Sequence, residues 1–125
     1  MMLKSVVAGV LASLSLMGTA YAETCPAASS IHKTASGYSA PGPDNKPLAV
    51  TVKGAAALES LKFTSARLKD NDSTASVVIC RYEGEGDLGA STGVKIGVPV
   101  RGTGTNWKGD DCEANDPAQC SFHIK

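Results

Sequence analysis

Hydrophobic and polar positions alternate with period two along several short stretches of the chain, which predicts β-strands with one buried and one solvated face. In residues 48–53, Leu48, Val50 and Val52 share a face. Residues 62–68 form a second candidate, anchored by Phe63. The clearest pattern is 75–83, with Val78, Cys80 and Tyr82 facing one way and Val77, Ile79 and Arg81 the other. Residues 93–100 put Val94, Ile96, Val98 and Val100 inward and Lys95, Gly97 and Pro99 outward, and residues 120–124 alternate weakly through Phe122 and Ile124. Turn-forming residues fill the gaps at Lys69-Asp70-Asn71-Asp72-Ser73, at 84–93 and at 101–111. The one helix-like stretch, 55–61, is too short for more than a turn or two.

Residues 23–47 are rich in Ala, Ser, Pro and Gly, and Pro41-Gly42-Pro43-Asp44-Asn45-Lys46-Pro47 excludes regular structure because prolines fix φ and remove donors. This segment reads as an extended N-terminal arm with a short strand around 31–39. The β-rich domain proper spans 48–125, and 23–125 form one mature domain. Short strands at this spacing predict an all-β fold, a small antiparallel sandwich or curled sheet with at most one short helix.

The first 22 residues carry a different pattern. Lys4 supplies a positive start, residues 5–17 are uncharged and apolar, and Ala20-Tyr21-Ala22 places small residues where a signal peptidase reads. The apolar run is shorter than the ~20 residues of a membrane span. Residues 1–22 are therefore expected to be a cleaved secretory leader, cut after Ala22, with no membrane insertion once it is removed. Glu23-Thr24 before Cys25 are not the small or apolar residues a lipidated cysteine requires, so Cys25 is read as a thiol bound for a disulfide.

Export changes the meaning of the four cysteines, Cys25, Cys80, Cys112 and Cys120. An even count in an oxidising compartment predicts two disulfides. Of the three connectivities, Cys25–Cys80 with Cys112–Cys120 is favoured: the first pins the N-terminal arm to a central strand, the second closes the short loop 113–119. Lys4 is the only charged residue of the leader, so cleavage takes one from 12 basic side chains and none from 12 acidic ones, leaving a net charge near −1. Nothing there attracts nucleic acid.

Several motifs fit a functional pattern and fail on its chemistry. Residues 84–89 spell G-x-G-x-x-G, but a strand follows where a phosphate-binding helix should open, and Glu85 and Asp87 would repel the phosphate. Asp70-Asn71-Asp72-Ser73-Thr74 begins like a calcium loop, yet Ala75 stands where glycine is needed and Arg81 where glutamate is. Asn71-Asp72-Ser73 is also a glycosylation sequon. Cys112, Cys120 and His123 lack a fourth zinc ligand, and the two thiols are expected to pair instead. A serine or cysteine nucleophile would need His32 or His123 as its base, no nucleophile elbow occurs, and no cofactor or metal is predicted.

The most individual segment is 101–112, a glycine-rich loop with the only tryptophan of the chain. Trp107 either folds back to cap a small core or stands out as an anchor. In the second case Trp107, Lys108, Asp110, Asp111 and Glu113 form a contact patch stiffened by the Cys112–Cys120 loop.

Cys25-Pro26 with Ile31, Tyr38-Ser39-Ala40, Leu61-Lys62-Phe63 with Ala66, Cys80-Arg81-Tyr82, Trp107 and the terminal Cys120-Ser121-Phe122 together resemble the DUF3757-type exported bacterial domains, small secreted proteins of unassigned function. The resemblance implies a bacterial periplasmic or secreted protein and brings no catalytic residues. The functional expectation is a non-enzymatic binding protein, an inhibitor or immunity protein among the roles that fit, whose partner is another protein in the envelope or outside the cell. The alternatives are a small envelope hydrolase using a carboxylate pair such as Glu83 and Asp87, and a subunit of a secretion or surface assembly.

Overall fold

The computed structural model describes residues 23–42 and 46–125. The expected leader, residues 1–22, lies outside the described residues, as does the center of the proline-rich stretch at 43–45. Among the described residues ten strands follow one another: β1 (His32–Thr34), β2 (Gly37–Pro41), β3 (Pro47–Lys53), β4 (Lys62–Lys69), β5 (Val77–Glu83), β6 (Gly89–Lys95), β7 (Val100–Gly102), β8 (Trp107–Lys108), β9 (Asp111–Glu113) and β10 (Phe122–Ile124). Eight form one antiparallel sheet in the order β1-β2-β3-β6-β5-β4-β9-β8, and β10 pairs with β7 as a separate ribbon. Among the described residues, helix is limited to 3-10 turns at Ala28–Ser30, Leu58–Ser60 and Pro117–Cys120. The protein is all-β, as the alternation predicts.

β5 shows why. Val78, Cys80 and Tyr82 are buried, whereas Val77 and Ile79 are half-covered and Arg81 and Glu83 exposed. β6 and β3 bury Ala90, Thr92 and Val94, and Val50, on the same side. β4 has a parity problem, because Phe63 and the pair Ala66 and Leu68 differ by an odd step. A bulge between Phe63 and Ser65 absorbs the extra residue, so that Phe63 opposes Tyr82 and Ser65 opposes Arg81. All three apolar side chains then reach the inner face. There Phe63 and Tyr82 pack edge to face, their centroids 5.7 Å apart, an arrangement worth about 0.5–1.5 kcal/mol beyond burial.

The inner face is covered by the β7–β10 ribbon, which contributes Val100 and Phe122, and by the N-terminal segment with Cys25 and Ile31. Glu23 and Phe122 exchange two backbone hydrogen bonds of 2.8 and 2.9 Å, fastening that segment to β10. Among the described residues, the opposite face of the sheet has no such cover.

Three elements differ from the sequence reading. The segment read as an extended arm carries both strands of a hairpin, and β2 continues into β3 through Gly42, whose N–H donates to the Lys46 carbonyl. Pro41 and Pro47 sit at strand ends, where a missing donor costs little. The expected strand at 93–100 is displaced: β6 begins at Gly89, inside the expected turn, and stops at Lys95. Beyond it the N–H groups of Ile96 and Gly97 both donate to the Ser76 carbonyl, Gly97 has a φ of +79°, and the Ser76 hydroxyl holds the Val98 carbonyl. This knot turns the chain, leaves Val98 exposed and sends Val100 into β7. Finally, the expected loop at 101–111 contains β7 and β8.

Candidate functional site

The cysteines pair as favored, Cys25 with Cys80 and Cys112 with Cys120, at Cα separations of 5.8 and 5.7 Å. All four are buried on the inner side. With both cysteines of the shorter bridge committed, His123 has no thiolate beside it; it accepts a 2.8 Å hydrogen bond at Nε2 from Arg101 Nε. His32 is exposed, and its Nδ1 lies 3.0 Å from the Ser30 carbonyl. Two such bridges fit an oxidising environment.

β8 and β9 form a hairpin in which Trp107 opposes Cys112 and Lys108 opposes Asp111. Alternation across this hairpin divides the expected contact patch. Trp107 turns to the inner side with Cys112: its ring lies against the backbone of Gly102, its indole N–H donates to the Ser121 carbonyl at 2.8 Å, and it is half-buried against the core. Lys108, Asp111 and Glu113 turn outward and are exposed. Asp110 lies in the connecting turn, where its carboxylate accepts from Asn71 at 3.0 Å and its carbonyl from the Leu68 N–H. The tryptophan is therefore a core cap, and of the patch only Lys108, Asp111 and Glu113 share a surface.

That surface is the outer face of the large sheet, which no other described residues cover. Strand register lays its side chains in rows. One row runs Thr51, Ser91, Arg81, Ser65, Glu113 across β3, β6, β5, β4 and β9. The next runs Gly93, Ile79, Arg67, Asp111, Lys108. On either side lie Lys95, Val77, Lys69 and Lys53, Gly89, Glu83, Lys62. Arg67 is paired with Asp111 at 3.0 Å, an exposed bridge worth little in stability. Arg81 is exposed between two serines and has no ion-pair partner among the described residues. Lys69, Asp70, Val77, Ile79, Ser91, Thr51 and Gly93 border a shallow depression, open because Gly93 has no side chain.

Of the predicted contact residues, Lys108, Asp111 and Glu113 lie on this face; Arg67, Lys69, Arg81 and Lys95 share it without having been among them. The signal was present in the outward parity of β4, β5 and β6, yet it became a single patch only once the strand order was known.

The remaining motifs are turns. Residues 84–88 join β5 to β6, closed by Gly84 N–H to the Leu88 carbonyl and Leu88 N–H to that of Glu85. At Asp70 a φ of +52° starts a turn in which Ser73 donates from both its N–H and its hydroxyl to the Asp70 carbonyl. Glu83 and Asp87 border one depression with Lys53 and Arg81, but both are exposed. Neither has the apolar enclosure that turns a carboxyl into a general acid.

No family model, curated protein or solved structure matches the chain.

Proposed function

We propose that this is an exported, non-enzymatic binding protein, bacterial and periplasmic or secreted, that contacts another protein through the outer face of its sheet. The observation that carries this reading is the rows themselves. Five adjacent strands align exposed charged side chains with small hydroxylated ones, on a face that no other part of the described structure covers. Antiparallel sheets commonly solvate one face, but this one sets Arg81 and Arg67, a residue type enriched in interfaces, beside the half-covered Ile79 and Val77. The leader-like N-terminus, the two bridges and the resemblance to DUF3757-type domains support the compartment. Inhibitor and immunity roles fit a rigid stapled sheet that offers a broad face.

Immobilised disulfide-bonded protein, exposed to envelope extracts and to secreted proteins of competing cells, should retain a specific protein. Ser91→Arg, which changes the face without touching the core, should abolish the retention. Equal retention by the variant would overturn the reading, as would turnover of an envelope polymer that Glu83→Gln abolishes.

A further inference from the structure

We infer that the outer face takes an acidic protein segment, its carboxylates seated on Arg81, Lys69 and Lys95 and its apolar side chains resting on Val77 and Ile79. The inference rests on the outer face being the contact surface and adds the chemistry of what it meets.

The chain is close to neutral, yet its charge is unevenly distributed. In the row formed by Lys69, Val77 and Lys95, two ammonium groups flank an apolar side chain with no acid between them. Arg67 is occupied by Asp111. Arg81 is not, and its neighbours Ser65 and Ser91 are short enough to leave the guanidinium accessible from above. A guanidinium presents a planar fork that matches a carboxylate with two parallel hydrogen bonds. Several of the chain's acids lie off this face, in turns: Asp72, Glu85, Asp110 and Asp116. Asp70 borders the depression next to Lys69, and Asp87 borders the one shared by Lys53 and Arg81, yet the lysines and arginines of the rows outnumber the acids on and beside them.

A uniformly charged polyanion fits less well. Glu83, Asp111 and Glu113 share the face and would repel it, and Val77 and Ile79 would have nothing to pack against. A peptide or protein surface that sets Asp and Glu around one or two apolar side chains satisfies both the cations and the depression over Gly93.

Panning a random peptide library on the disulfide-bonded protein tests this. Enriched peptides are expected to combine Asp or Glu with apolar residues. Their affinity should fall when salt is raised from about 0.05 M to about 0.5 M, and by at least about tenfold in Arg81→Glu. Gly93→Glu should match that loss. Its new side chain fills the depression with negative charge, and its Cβ would meet only Val77 Cγ1, at 3.4 Å, so the sheet accepts it. Lys33→Glu, the same kind of charge change on β1 away from these rows, should bind unchanged. Neutral peptides that still depend on Gly93 would overturn the acidic chemistry and leave the face reading standing. Peptides indifferent to Arg81→Glu and Gly93→Glu, or no enrichment at all, would overturn both. Heparin, a sulfated polysaccharide, displacing the peptides and binding more tightly through Arg81 would overturn the inference in favor of a polyanion.

Discussion

The hydroxyl of Tyr82 donates a 2.7 Å hydrogen bond to the carbonyl of Pro26, and both residues are buried. The bond joins the middle of the sheet to the N-terminal segment beside the Cys25–Cys80 bridge. Tyr82→Phe leaves the Pro26 carbonyl without that donor and should cost about 1–3 kcal/mol, the penalty for a buried polar group left unsatisfied. Urea unfolding with an unchanged m-value would show it.

Burial also holds the Tyr82 phenol far above its ordinary value near 10.0. In the unfolded chain the phenol ionises near that value, whereas in the folded chain it stays protonated. The stabilisation is therefore complete below pH about 10 and lost as pH rises further. Alkaline titration followed at the phenolate band should show one tyrosine ionising only on unfolding. Tyr82→Phe should remove that step and flatten the fall of stability with pH.

Gly102 touches the ring of Trp107, and any Cβ there would collide with the indole. Gly102→Ala should displace the ring, break the Trp107–Ser121 hydrogen bond, and cost about 1–3 kcal/mol as an overpacking change. Because Trp107 is the only tryptophan, its fluorescence reports the event directly: emission should shift to the red in the variant before any denaturant is added.

The two bridges close loops of different length, with sequence separations of 55 and 8. On the chain-entropy account the longer is worth about 4 kcal/mol and the shorter about 2.5 kcal/mol. Replacing Cys25 and Cys80 together by alanine should lower the urea midpoint more than replacing Cys112 and Cys120. The opposite order would show that the 112–120 loop is stabilised mainly by its packing.

How far these features could be read from sequence depends on contrast between faces. β5 was legible because its buried positions are Val78, Cys80 and Tyr82 and its outer ones end in Arg81 and Glu83. β6 was misplaced because its buried set includes Ala90 and Thr92 and its outer set Gly89, Ser91 and Gly93, residues that also make turns. Thr92 is tolerated inside because its hydroxyl reaches the Ala49 carbonyl at 2.8 Å, a long-range bond that no local pattern announces. The β4 bulge hides in the same way, since a parity slip is visible only against β5. The site suffered most. Charge and aromaticity clustered along residues 107–113, but a two-residue strand at β8 was enough to send Trp107 and Lys108 to opposite faces. The cysteine pairing needed no such detail, because loop length and the position of a loose N-terminus were enough to favor it.

The bridge between Cys25 and Cys80 also governs how the molecule would respond to force. A pull applied at its two ends passes from Cys25 straight across sulfur to Cys80, so β1 to β4 lie outside the load path. With the anchors 55 positions apart in sequence, about 180–200 Å of chain cannot be drawn out at ~3.3–3.6 Å per residue. Beyond Cys80 the chain can extend except across the loop closed by Cys112 and Cys120, until a reductant opens the bridges and releases the hidden length.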